Sequence, residues 1–346
     1  MSRLLLHISL FLSLGFVYSF GQTSQLDSLK NILKTAKHDS TKCDLLSAMI
    51  NAEEDDAIWI NYNKELKAIA EKKLNSSTLT SAEKKIYLRH LANAYNNTCF
   101  FYNNNGQVNE ALDNCNRSLK INKEIGNKEG IATALNTLAT IYQKQGLIKK
   151  ALDHFMYSLK LSEEISDQEG TASTLMNIGI TTQSLGQNKE ALNYFKRSIK
   201  IQEKIGDKEG MAISLNNIGG VYHKMNEEKE ALDYYNRSKK INEEIGNKEG
   251  IANALNNIGG LYVRTGDLSE ALNSMQLSLK LYEELDNKSG IVTTLRNIGA
   301  IYLKQGKLNN AFNYAEKGLL LARELGYPGN IQSNAQLMSL IYEKQN

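Results

Sequence analysis

The stretch NKEGIANALNNIGGLYVRTGDLSEAL, Asn247 to Leu272, has a close copy forty residues upstream, DKEGMAISLNNIGGVYHKMNEEKEAL, and another forty before that. This fixed interval constrains the fold more than any other feature, because periodicity at this scale marks a chain built from one supersecondary unit used many times. The register is followed through Ala132, Leu135, Leu138, Ala139, Tyr142, Gly146, Ala151 and Phe155. Steps of forty reach Ala212, Leu215, Ile218, Gly219, Tyr222, Ala231 and Tyr235, and end on Val292, Leu295, Ile298, Gly299, Tyr302, Gly306 and Ala311. Nothing is inserted between units.

Within a unit the apolar spacing is helical. Leu255, Ile258, Gly259 and Tyr262 follow one another at three, one and three, and Ala271, Leu272, Met275, Ser278 and Leu279 repeat the pattern on a second segment. Gly266 stands at the turn between segments, and Gly126, Gly206 and Gly246 stand where a left-handed residue ends the second helix. Asn127, Asp167, Asp207, Asn247 and Asn287 then occupy N-cap positions. Each unit is therefore a pair of antiparallel helices. One pair buries too little apolar surface to offset the entropy of ordering it, so neighbours must stack. A single proline, Pro328, agrees with long uninterrupted helices.

The pattern L-x2-I-G-x2-Y followed by A-x3-[FYM] resembles the tetratricopeptide repeat (TPR), with Leu in place of the usual Trp and no proline at the repeat end. The forty-residue unit is similar to the long variant of kinesin light chains and to the exported TPR regions of bacterial sensor proteins. The resemblance implies an all-α fold, a right-handed superhelical solenoid of antiparallel helix pairs whose first helices line a concave face. The match divides the chain into six units over 91–330 and a final capping helix, an incomplete seventh repeat, over 331–346. Residues 22–90 lie outside the register and read as a divergent helical cap for the first repeat. In this region Ser24 is an expected helix cap, Thr80 and Glu83 have capping-box spacing, and Trp59 is expected in the core.

The N-terminus differs from all of this. Arg3 precedes the apolar run Leu4 to Phe20, and Ser19 and Gly21 place small residues before Gln22. This is the pattern of a secretory signal peptide over 1–21, cleaved after Gly21. No later apolar run is long enough to span a membrane, so the mature chain is expected to be exported, periplasmic or secreted. Export permits disulfides. Cys43, Cys99 and Cys115 have no zinc spacing; Cys99 and Cys115 occupy positions taken by Gly179 and Phe195 in a later unit. The interior preference of free cysteine favours buried thiols there over a bridge.

No catalytic motif is present, and His38, His90, His154 and His223 lack metal-ligand spacing. The sequence thus implies no enzyme, no cofactor and no metal. Glu163, Glu164, Glu243 and Glu244 stand beside lysines and read as a solvated face. What remains is the surface made by the first helices. Asn96, Asn136, Asn216 and Asn256 form one amide row, with Asn97, Asn177, Asn217, Asn257 and Asn297 beside it. An amide both donates and accepts, so a row of them can hold an extended peptide; the same amides could equally bridge adjacent helices. Lys144, Lys224, Arg264 and Lys304 form a candidate basic edge, with Arg296 one turn inside. That edge would favour an acidic partner, although each cation also sits where it relieves a helix dipole. A net charge of +3 diluted by glutamates, without an aromatic row, excludes nucleic acid as the expected partner.

The expected function is a non-catalytic scaffold binding a protein or peptide. The alternative is a truncated or stand-alone sensory region related to TPR-containing signalling proteins (histidine kinase, cyclase or DNA-binding regulator), since the chain ends at Asn346 within what resembles another repeat. The last helix, Ile331 to Lys344, carries Leu337, Leu340 and Ile341 as an expected exposed stripe for a homodimer.

Overall fold

A computed structural model describes residues 20–53, 55–76, 78–326 and 328–345. The apolar run read as a leader lies outside the described residues apart from Phe20. Sixteen helices and no strands occur among the described residues. They form two compact units, one up to Ser166 and one from Asp167 onward.

The first unit contains α1 (Phe20–Thr35), α2 (Asp39–Ala52), α3 (Asp56–Leu74), α4 (Ser81–Asn104), α5 (Val108–Glu124), α6 (Lys128–Lys144) and α7 (Ile148–Glu164). Ser24 does not start its helix: α1 begins at Phe20 and runs through it. The capping box at Thr80 and Glu83 is present, the carboxylate reaching back to the Thr80 N–H at 2.9 Å. Trp59 is buried, donates to Asp56 at 2.6 Å and meets Phe101 edge-on. The helices before the repeats pack on α4 through a polar knot. Asn63 donates to the Ala94 carbonyl at 3.0 Å and accepts from Asn97 at 3.0 Å. Cys43, Leu46, Leu66 and Tyr87 form the apolar core below it.

Cys99 and Cys115 are joined in a disulfide, with Cα atoms 5.3 Å apart. This corrects the expectation of free thiols. The physical reason is the register: these two positions face one another across the α4–α5 pair, as Gly179 and Phe195 do across theirs. Cys43 stays free and buried, and burial pushes its thiol up to about 12.

The second unit contains α8 (Gln168–Ser184), α9 (Asn188–Ile205), α10 (Lys208–Lys224), α11 (Glu228–Ile245), α12 (Lys248–Thr265), α13 (Leu268–Glu284), α14 (Lys288–Lys304), α15 (Leu308–Glu324) and α16 (Pro328–Gln345). Each second helix is wedged between its own first helix and the next one. Phe195 of α9 packs with Ile218 and Val221 of α10, Tyr235 of α11 with Ile258 and Leu261 of α12, and Met275 of α13 with Ile298 and Ile301 of α14. The first helix makes room by having no side chain at the contact. A Cβ on Gly219 would fall 2.6 Å from the Tyr235 ring, and one on Gly179 2.7 Å from Phe195.

Below that contact a buried serine ties the pair together. Ser198, Ser238 and Ser278 donate to the carbonyls of Ala172, Ala212 and Ala252 at 2.7–2.8 Å, and Ser158 does the same to Ala132 in the first unit. Turns fall every twenty residues at positive φ. Nine of these are glycine, and Ser166, Asn226 and Asp286 take the conformation at the other three. Asp167, Asp207, Asn247 and Asn287 cap their helices as expected, each accepting from an N–H three residues on at 2.8–2.9 Å. Asn127 does not, because its amide donates to the buried Asn122 side chain at 2.9 Å.

Candidate functional site

In the second unit the first helices α8, α10, α12 and α14 stand in a row, each touching the next, with α16 after them. Helical periodicity brings Asn216, Asn217, Gly220, His223 and Lys224 of α10 beside Asn256, Asn257, Gly260, Val263 and Arg264 of α12. Arg296, Asn297, Ala300 and Lys304 of α14 follow.

The amides do not stand apart as a row of unpaired groups. Asn257 donates to Asn216 at 3.0 Å, and Asn297 donates to Asn256 at 3.1 Å while accepting from Arg296 at 2.9 Å. Each of the two amide–amide bonds spans forty-one residues, so the second asparagine of one unit reaches the first asparagine of the unit before. Asn217 shows why: its counterpart forty-one residues back is Met176, which offers no acceptor, and the Asn217 Nδ2 is left buried and unpartnered. Asn136 and Asn177 are engaged as well. In the first unit, Asn97 bonds to Asn63, and the Asn96 Oδ1 is shielded without a partner. Each rung uses one N–H of one amide and one lone pair of the other, and a primary amide has a second N–H and a second lone pair. Asn216, Asn256, Asn257 and Asn297 are all half-buried, so the remaining groups are held at a defined height along the face.

The basic positions follow the same step. Arg264 donates to the His223 carbonyl at 2.6 Å and to Asn226 at 2.7 Å, and pairs with Glu228 at 3.1 Å. Lys304 reaches the Val263 carbonyl at 3.4 Å. These cations satisfy the carbonyl end of the preceding first helix, where the helix dipole is negative. Lys144 and Lys224 are exposed at the equivalent ends of their own helices. Burial, and then the Arg264 guanidinium, hold His223 below its ordinary value.

Two residues absent from the sequence expectation belong to this face. Gly219 and Gly259 are explained by the aromatic and methionine side chains beneath them, but Gly220 and Gly260 are not. A Cβ on Gly220 would meet nothing nearer than 3.7 Å, and one on Gly260 nothing within 4 Å. Both sit mid-helix, where glycine costs about 0.5–1 kcal/mol relative to alanine. The signal in the sequence was the doubled glycine of NNIGG, present in these two units, single at Gly179 and Gly299, and replaced by Cys99 and Ala139 in the first two.

Among the described residues no group of three or more His, Cys, Asp or Glu side chains could hold a metal. No described helix is long and apolar enough to cross a membrane.

The tetratricopeptide repeat model matches residues 90–164, 170–244 and 250–324, about two thirds of the chain. The chain belongs to the tetratricopeptide repeat family. Among solved structures, apo RapI is similar with a TM-score of 0.59 at 21% identity, over 79% of this chain and 93% of that one. A Rap protein in complex with Competence and Sporulation Factor matches at TM-score 0.58 and 12% identity, over 94% and 99%. The signal transduction ATPase with a tetratricopeptide repeat sensor from Pyrococcus horikoshii matches at TM-score 0.60 and 14% identity, over 94% of this chain and 50% of that one. No curated protein matches in sequence. At these identities the likeness shows the fold, an all-α superhelical repeat. A TPR scaffold of this kind serves protein interaction or sensing and is generally not catalytic.

Proposed function

We propose that this TPR chain is an exported, non-catalytic scaffold that holds an extended segment of a protein partner against the first helices of its second unit. The observation that carries this reading is the pair Gly220 and Gly260. They leave a floor without side chains that packing does not require, flanked by amides fixed in place by their own rungs. A ligand backbone can approach a glycine closely, and Asn216, Asn256, Asn257 and Asn297 offer its peptide groups both donors and acceptors. Arg296, itself bonded to Asn297, and the exposed Lys224 favour an acidic segment, whereas Arg264 and Lys304 serve mainly to close helix ends. Within the second unit Asn177 and Asn217 extend the amide face but hold less of the ligand. Residues 22–90 act as the cap of the first repeat.

The leader pattern supports export, and the Cys99–Cys115 bridge is in keeping with an oxidising compartment. The alternative role, as the input region of a signalling protein, uses the same face to detect its ligand. A second reading, self-association through the C-terminal helix, is favoured by the exposure of Leu340 and Tyr342 on α16. The stripe expected from sequence is corrected here: Leu337 and Ile341 are buried against Ala311 and Ala315, and only Leu340 of the three faces outward.

Affinity capture from the exported fraction, with the full chain as bait, tests the main reading. Alanine at Asn216, Asn256 and Asn257 together should abolish capture of whatever the wild type retains. Undiminished capture would remove the first-helix face from the function.

A further inference from the structure

At the end of the second unit α15 and α16 enclose an open groove of about 480 Å³, with Leu319, Leu320 and Arg323 on one wall and Ala335, Ser339 and Tyr342 on the other. The repeat register identifies what fills the same place in earlier units. Forty residues before Ser339 is Gly299, whose missing side chain faces the backbone of Ala311 and Ala315 on α15. Forty before Tyr342 is Tyr302, stacked on Tyr314 of α15 at 5.5 Å. One unit earlier Gly259 faces Met275 and the Ala271 carbonyl of α13 in the same way. The groove is thus the seat of a second helix, and no described helix occupies it on α16.

A second observation is independent of this geometry. The position of Leu320 is lysine in all five preceding units, at Lys120, Lys160, Lys200, Lys240 and Lys280. Only beside the open seat does it become apolar, with Leu320 59% exposed and Leu340 52% exposed.

We propose that the seat is filled by α16 of a second copy of the chain, lying antiparallel to the first α16 about a two-fold axis. The inference rests on the self-association reading and is independent of the amide face. Direction selects this arrangement. α15 and α16 are consecutive helices of an antiparallel pair, so a helix antiparallel to α16 runs parallel to α15, as successive second helices do throughout the unit. Size agrees: the exposed face of α16 carries Ala335 and Ser339 four residues apart, small residues like the Ala311 and Ala315 that α15 presents to Gly299. Charge agrees too. The C-terminal end of the incoming α16 arrives beside the C-terminal end of α15, bringing the second copy's Glu343 to Arg323. A two-fold contact of this kind is self-complementary and closed, so each copy's open seat is filled by the other and growth stops at a dimer.

Sedimentation velocity on the full chain, from micromolar to high-micromolar concentration, tests the proposal. The wild type should dimerise. Ser339→Arg fills the seat with a long cation, and Leu320→Lys restores the residue of the other units; each should raise the dissociation constant by roughly tenfold or more. Arg323→Glu and Glu343→Arg should each weaken the dimer and together restore it. All four positions are exposed, and circular dichroism checks that each variant is folded; Leu320→Lys keeps the test valid if Ser339→Arg is not. A wild type that stays monomeric, a dimer indifferent to both Ser339→Arg and Leu320→Lys, or a charge swap without recovery would each overturn the arrangement. Partner capture by Ser339→Arg should equal that of the wild type, so a failure of the amide-face reading would register in that measurement alone.

Discussion

Cys99 and Cys115 are sixteen residues apart, as are Gly219 and Tyr235, and the two pairs occupy equivalent places in their repeats. In the α4–α5 pair of the first unit the helices are fastened by a covalent bond between two small side chains. In the second, a glycine recess receives an aromatic ring. The bond constrains the unfolded chain and needs little buried apolar area, whereas the ring works by filling volume and also reaches the next repeat's first helix. The disulfide ties together only α4 and α5, next to the helices that lie outside the repeat register. The ring also carries the repeat-to-repeat contact.

This difference is broken most severely from the packing side. Phe195 is fully buried between Gly179 and the Ile218–Val221 face of α10, so Phe195→Ala should destabilise the second unit by about 3–5 kcal/mol, measured by urea unfolding. Reducing the Cys99–Cys115 bond, or replacing both with alanine, should cost about 3 kcal/mol, the value for a closed loop of about 15 residues. Its effect should be confined to the first unit, which hydrogen exchange can localise. Thiol counting checks the premise: denatured without reductant, the chain should take up alkylating reagent at Cys43 alone. Labelling at Cys99 would show that the bridge is absent.

The sequence carried the repeat, the helix ends, most caps and the burial of Trp59 because each of those depends on neighbours within a unit. It was weaker where the answer depends on a partner in another helix. The bridge was legible in principle, since the register places Cys99 against Cys115, but the interior preference of single cysteines argued the other way. The asparagines were legible as a row. That Asn257 reaches Asn216 and that Asn217 meets only Met176 depends on a step of forty-one residues, one more than the period, fixed by how adjacent first helices sit side by side. Leu337 and Leu340 look alike in a stripe, yet the phase of α16 buries one and exposes the other.

Adjacent glycines offer a finer comparison on a single helix. Gly219→Ala pushes a methyl into the Tyr235 ring and should destabilise by about 1–3 kcal/mol. Gly220→Ala, one residue on, meets nothing nearer than 3.7 Å and should stabilise by about 0.5–1 kcal/mol. If the glycine floor serves a ligand, Gly220→Ala and Gly260→Ala should raise the melting temperature while lowering partner capture. A gain in stability with capture intact would leave these two glycines unexplained by function.

The smallest effect concerns charge at the edge of that face. Burial and Arg264 hold His223 below its ordinary value in the folded chain, so between that lowered value and about 6.5, the ordinary histidine value, the unfolded chain binds the proton more readily. The neutral ring therefore contributes stability that is complete above about 6.5 and is lost as pH falls through the lowered folded value. His223→Gln should flatten the decline in stability between neutral and mildly acidic pH, a shallow difference best read from paired denaturant titrations. The Arg264 bond to the His223 main-chain carbonyl survives that substitution, so Arg264 should keep its place. An unchanged pH slope in His223→Gln would mean that the ring is free to charge in the folded chain, and that the end of α10 is as open to water as the lysine beside it.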